Sequence, residues 1–99
     1  MASGATSTAI LFEAMARLTL FTTEPCSFCR NAKALLQKRG IPYEEINLAK
    51  DPAGRLELAR RTGLMTFPQI TVDGKTLGGF RELLMADQAG ELEDLSAAA

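Results

Sequence analysis

The sequence predicts an α/β domain built on a mixed four-stranded sheet, in the order β-α-β-α-β-β-α, with helices on both faces. Three observations predict it. Short runs rich in Leu, Thr, Phe, Ile and Val alternate with segments of helical apolar period. Glycine and proline separate them, with Gly40-Ile41-Pro42 after the first helical pattern and Asp51-Pro52 opening the second. Asp73-Gly74 joins two strand-like runs with no helix between them, which makes the last pair an antiparallel hairpin.

The elements follow in order. Residues 1–15 read as an N-terminal extension: MASGATST is small and polar, and Ile10, Leu11, Phe12 and Met15 suit a short amphipathic turn or helix. The domain is expected over residues 16–96, with 97–99 as a tail. Residues 17–22 form the first strand, rich in Leu, Thr and Phe. The first helix runs from 27 to 39, with Phe28, Ala32, Leu35 and Leu36 as one apolar stripe. Gly40 then supplies a left-handed C′ residue, and Pro42 cannot continue the helix. Residues 41–48 make a second strand with Tyr43, Ile46 and Leu48 buried. Its helical connection makes it parallel to the first, through a right-handed crossover. Asp51 caps a second helix with Pro52 at its first position. Leu56, Leu58 and Ala59 lie along that helix, and Gly63 ends it. Residues 67–72 and 75–77 are the hairpin strands. Gly78-Gly79 breaks the second of them, a last helix spans 80–88, and Leu92 and Leu95 dock a final turn. Two parallel strands followed by a hairpin, covered by helices on both faces, is the thioredoxin-like arrangement.

At 99 residues the chain has room for one domain and one modest core. Its 11 basic and 12 acidic side chains give a net charge of −1, with no long run of either sign. Nucleic acid and anionic membranes are therefore not expected partners. No stretch approaches the ~18 apolar residues of a membrane span, and the first 16 residues lack the basic start of a signal peptide. The chain holds no histidine, which excludes Cys–His proteolysis and imidazole general-base catalysis, and two cysteines cannot complete a four-thiolate zinc site.

Those two cysteines carry the chemistry. Cys26-Ser27-Phe28-Cys29 lies where the first strand gives way to the first helix. A CxxC at a helix start in a protein that reads as cytoplasmic is a dithiol redox site. A bridge across so short a loop adds little stability, so exchange chemistry explains it better. Cys26, at the edge of the helix, is the exposed attacker. Helix N–H groups and the positive end of the dipole favour its thiolate and lower its pKa from the ordinary ~8.5; titration of thiolate absorbance tests this. Cys29, one turn inside, resolves the mixed disulfide. Arg30 and Lys33 are nearby cations. Pro68 opens the third strand and Gly78-Gly79 precedes a helix, both ordinary turn features when taken alone.

Taken together, these motifs resemble the glutaredoxin family from residue 17 to about 95. The resemblance is carried by LTLFTTEPCSFCRNAKALLQKRGIPYEEINL, then ARRTGLMTFPQITVDGKTLGGF, then ADQAGELEDL. It implies a glutathione site beside the dithiol, with the glutathione mixed disulfide on Cys26. Thr66, Phe67 and a cis Pro68 would pair with the glutathione backbone. Arg60 or Arg61 would reach its glycyl carboxylate, and Gly79 and Phe80 would offer N–H groups to its γ-glutamyl end. The implied reaction is glutathione-driven reduction of protein disulfides and of glutathione mixed disulfides by a monomer.

The chain departs from the family pattern at four points. The usual CPYC is CSFC, with proline moved ahead of Cys26. Phe28 replaces the tyrosine and loses its phenol. Thr23 stands where a lysine is common, and Arg81 stands where an aspartate commonly pairs with the γ-glutamyl amine. Two further readings follow from the resemblance: an electron donor served by thioredoxin reductase, suggested by Gly79-Phe80-Arg81, and a homodimer bridging a [2Fe–2S] cluster through Cys26 and two glutathiones.

Overall fold

The computed structural model describes residues 16–96; the extension and tail read from the sequence lie outside the described residues. The element order is β1 (Leu18–Thr22), α1 (Ser27–Lys38), β2 (Tyr43–Asn47), α2 (Pro52–Thr62), β3 (Gln69–Val72), β4 (Lys75–Gly78) and α3 (Phe80–Gln88), closed by a 3₁₀ turn at Glu93–Leu95. The sheet order is β2-β1-β3-β4, with β1 parallel to β2 and antiparallel to β3. This is the thioredoxin-like fold that the alternation of patterns predicts.

Side-chain alternation divides the core between the two faces of the sheet. Leu18 and Leu20 of β1 and Ile70 of β3 meet Ala32 and Leu36 of α1 and Leu83 and Ala86 of α3 on one face. Phe21, between them in parity, points the other way and packs with Leu48 and Leu58. Because both faces are covered, Leu20, Phe21 and Thr22 are all buried in succession.

The ends of the elements differ from the sequence reading by a residue or two, for local reasons. Pro68 has no N–H to give a ladder, so β3 starts at Gln69. Gly78 pairs with Ile70 as the last residue of β4 rather than breaking the strand, and the register shifts between Ile70 and Thr71. Helix stops fall where glycine was read: Gly40 and Gly63 adopt φ of 67° and 76°. Not every apolar position of the sequence reading is core: Tyr43 and Ile46 of β2 are half-buried rather than buried. Leu56 is 65% exposed on α2, and Phe28 is 58% exposed. On α1 the buried line is Cys29, Ala32 and Leu36, because Cys29 takes the inward place and turns its neighbour Phe28 out by about 100° of helical rotation.

Ion pairs tie the ends of the molecule. Arg17 grips Asp73 through Nε and Nη2, at 3.0 and 2.6 Å, joining the start of β1 to the hairpin turn. Hydrogen bonding to Arg17 holds the Asp73 carboxyl below the usual carboxylate range. Backbone N–H donation from Gly79 does the same for Glu82. Folded-state values below the unfolded ones mean that both groups stabilise the fold fully above the unfolded carboxylate range. That contribution is lost as pH falls through the depressed values. Denaturant midpoints should therefore hold through neutral pH and fall below about pH 5, and Asp73→Asn should flatten part of that acid limb. An equal acid slope in wild type and variant would show that the pair contributes nothing.

Candidate active site

Cys26 is placed by the end of a strand and the start of a helix. β1 finishes at Thr22, and the loop through Thr23, Glu24 and Pro25 delivers Cys26 as N-cap of α1. Proline without an N–H suits the residue before the cap, and the Glu24-Pro25 bond is cis. Cys26 has extended backbone angles, and its Sγ accepts the N–H of Cys29 at 3.1 Å. The sulfur thus takes the place a serine or aspartate oxygen holds in an ordinary cap. Cys26 and Cys29 form a disulfide with their Cα atoms 5.2 Å apart, inside the normal range. Cys26 is partly exposed at the rim, whereas Cys29 is 2% exposed. Only one sulfur is open to an incoming thiol.

Register brings the second motif alongside. Phe21 stands opposite Gln69 in the antiparallel β1–β3 pair, so the residue before Gln69 lies beside the loop that leads to Cys26. That residue is Pro68, buried, and the Phe67-Pro68 bond is cis. A β-carbon built on Gly79 would lie 3.4 Å from the Pro68 carbonyl oxygen, which puts the start of α3 against the same loop. Phe80, the first residue of α3, stacks on Phe28 with ring centroids 5.9 Å apart and planes 25° from parallel. The stack joins the start of α1 to the start of α3 directly beside the dithiol.

Other sequence-read residues are spread more widely. Thr66 is exposed and Phe67 half-buried against the Phe21 cluster. Arg60 and Arg61 occupy the last turn of α2, where Arg60 pairs with Glu57 at 3.3 Å. Arg81 is exposed in the first turn of α3. The Gly79 N–H donates to Glu82 Oε1 at 2.8 Å, the one half of a capping box that a glycine cap can make. Thr23 lines a hollow of ≈ 550 Å³ on the β2 side of the disulfide, together with Cys26, Cys29, Arg30, Lys33 and Glu45. In it Lys33 pairs with Glu45 at 3.1 Å, and the buried Thr22 hydroxyl donates to the same carboxylate at 2.8 Å. A hollow of ≈ 590 Å³ at the far end, around Arg39, Ile41 and Leu92, carries no thiol.

Sequence reading missed two positioning groups. Gln69 is 1% exposed; its Nε2 donates to Leu64 O at 2.9 Å and its Oε1 accepts from Thr62 Oγ1 at 2.8 Å. Together they pin the loop that presents Pro68. The signal was a glutamine opening a buried strand of Ile, Thr and Val, where a buried amide needs polar partners. Glu82 is the other, visible only as an acid three residues after Gly79. Among the described residues no group of three His, Cys, Asp or Glu side chains is placed to hold a metal ion, and no helix is long and apolar enough to cross a membrane.

A thioredoxin-like sheet with an exposed–buried cysteine pair capping the helix after its first strand, beside a cis-proline loop, defines a thiol–disulfide oxidoreductase. The glutaredoxin family model matches residues 18–77. The chain is 37% identical over 81 residues to glutaredoxin 3 of Escherichia coli, covering 82% of this chain and 98% of that protein. It is 38% identical over 84 residues to a glutaredoxin of Pseudomonas aeruginosa, covering 85% and 100%. The solution structure of a glutaredoxin from Brucella melitensis superposes with a TM-score of 0.72 at 32% identity, over 86% of this chain and 94% of that one. The chain belongs to the glutaredoxin family and is a thiol–disulfide oxidoreductase.

Proposed function

We propose that the enzyme draws its electrons from glutathione and reduces protein disulfides and glutathione mixed disulfides. The observation that best supports this is the meeting of three features at one sulfur. Cys26 caps α1, the Pro68 loop lies beside it, and the start of α3 closes the far side through the Phe28–Phe80 stack.

From the oxidised state, a glutathione thiolate attacks Cys26 Sγ and Cys29 leaves as a thiolate that takes up a proton. A second glutathione attacks the sulfur of the bound one. Glutathione disulfide departs and Cys26 is left as thiolate, held by the Cys29 N–H. The backbone of Thr66, Phe67 and Pro68 pairs with the tripeptide, and Arg60 or Arg61 takes its glycyl carboxylate. The first-turn N–H of Phe80 receives the γ-glutamyl carboxylate. The Gly79 N–H is already given to Glu82, so the ligand uses it only by displacing that side chain. Phe28 contributes its ring face alone, Thr23 brings no charge, and Arg81 attracts the γ-glutamyl carboxylate rather than the amine.

The test is NADPH consumption with a glutathione mixed-disulfide substrate, supplied through glutathione and glutathione reductase in one experiment and thioredoxin reductase in another. Cys26-dependent turnover with glutathione is expected. Turnover with thioredoxin reductase alone would overturn the glutathione reading and assign the chain to the thioredoxin-reductase-linked donors.

A further inference from the structure

We infer that the buried Thr62–Gln69 pair is a latch that holds the chain before Pro68 in the shape an extended backbone can pair with. Given the pairing of that loop with a bound chain proposed above, Gln69 is a positioning residue that favours disulfides carried on an extended peptide over small disulfides.

Gln69 stands where packing alone would ask for an apolar residue. It is 1% exposed, next to the fully buried Ile70. An amide there loses its hydrogen bonds to water and needs replacements of good geometry. It has them: Nε2 donates to Leu64 O at 2.9 Å, and Oε1 accepts from Thr62 Oγ1 at 2.8 Å. The Thr62 oxygen in turn accepts the Leu64 N–H at 3.1 Å. Both backbone groups of Leu64 therefore end on this one pair of side chains. The amide has a single orientation, because a flipped one would set its oxygen against the Leu64 carbonyl oxygen with no proton between them. A fully satisfied buried network of this kind selects one conformation of the segment it grips.

Each side chain of the pair stands on a regular element. Thr62 is the last residue of α2, and Gln69 opens β3 opposite Phe21 of β1. Among the described residues, the hydrogen bonds made by residues 64–67 end only on Thr62 and Gln69. Phe67 is held by packing against the Phe21 cluster. Met65 and Thr66 are exposed, and the backbone groups of Met65, Thr66 and Phe67 have no hydrogen-bond partner among the described residues. Such a run of unpaired N–H and C=O groups is what an extended chain pairs with. Its direction is set by Leu64 at one end and Pro68 at the other, so releasing Leu64 turns the edge away from a bound chain. Cys26 is placed separately, by the end of β1 and the start of α1. The latch thus acts on the binding of a chain and leaves attack at the sulfur alone.

The experiment is single turnover of protein reduced by dithiothreitol and freed of it, so that glutathione plays no part. Three disulfides are compared: bis(2-hydroxyethyl) disulfide, the disulfide-linked dimer of a short peptide with a central cysteine, and the same dimer N-methylated on both sides of that cysteine. Wild type should reduce the peptide dimer faster than its N-methylated form. Thr62→Val keeps the branched shape and removes the hydroxyl; Gln69→Met keeps the length and removes the amide. Each should slow the peptide dimer about tenfold, the effect of losing one well-placed hydrogen bond, and leave bis(2-hydroxyethyl) disulfide at the wild-type rate. Thr62→Ser should restore the peptide rate. The double variant, Thr62→Val with Gln69→Met, should be no slower than the single ones, because both remove the same latch. Equal slowing of peptide and small disulfide would make the pair an ordinary support of the fold and overturn the inference. Unchanged peptide rates in both variants would overturn it too, and would leave the loop pairing standing if wild type still prefers the unmethylated peptide. A wild type indifferent to N-methylation would overturn the loop pairing itself, and the latch with it.

Discussion

Replacing Cys26 by serine will reduce disulfide exchange to the uncatalysed background, whereas Cys29→Ser will keep exchange with glutathione mixed disulfides and lose reduction of protein disulfides. The asymmetry follows from where α1 begins. Cys26 is the N-cap, partly open to solvent, and its Sγ receives a backbone N–H at 3.1 Å. That hydrogen bond and the helix dipole favour negative charge on this sulfur both as an attacking thiolate and as a leaving group. Serine keeps the cap and the fold, so lost activity will report chemistry; its hydroxyl stays protonated and does not form a disulfide. Cys29 is 2% exposed, so it meets no substrate until Cys26 has brought a mixed disulfide to it. Single-turnover assays against a mixed disulfide and a protein disulfide, run on both variants, check this. Exchange retained by Cys26→Ser would reverse the two roles.

The same asymmetry was legible in the sequence because both cysteines sit on one helical turn whose start is marked by Pro25 and by the end of an apolar strand. The fold was legible for a related reason: Gly40, Gly63, Asp51-Pro52 and Asp73-Gly74 each leave the backbone few alternatives, and the structure uses all four as stops or turns. What could not be read were choices made between elements. Helical spacing put Phe28 on the stripe with Ala32 and Leu36, but Cys29 shares that face almost as well, and Phe80 across the gap offers Phe28 a partner outside the core. By sequence alone Gln69 is one residue of a strand; its meaning lies in Thr62 and Leu64, seven and five residues away across a loop. Glu82 likewise reads as a solvated acid until the N–H of Gly79 is seen to point at it.

Gly78→Ala will be among the most damaging single substitutions outside the core, because two demands meet at that residue. Gly78 ends β4 with φ of 135°, a region side chains rarely adopt. A β-carbon there would lie 2.6 Å from Glu82 Cγ and 2.9 Å from Glu82 Cβ. Strain of this kind costs about 1–3 kcal/mol, and the crowding adds to it by forcing Glu82 off the Gly79 N–H. For a domain this small, the loss should lower Tm on the order of 10 °C. A second substitution separates the causes. Glu82→Ala removes the contacts with Cγ and Oε1 but keeps the Cβ contact and the backbone strain, so Gly78→Ala with Glu82→Ala should lose less than the two single losses added together. Strict additivity would mean that Glu82 beyond its Cβ contributes nothing to the loss and that backbone strain and the Cβ contact are the whole effect. The consequence reaches the dithiol, since Gly79 and Phe80 follow directly: a shifted start of α3 draws Phe80 off Phe28 and leaves the cysteine pair intact beside a groove with one wall displaced. Gly78→Ala should therefore lose affinity for the disulfide substrate at temperatures where it is still folded, while its Cys26 thiolate reacts with a small alkylating agent at the wild-type rate.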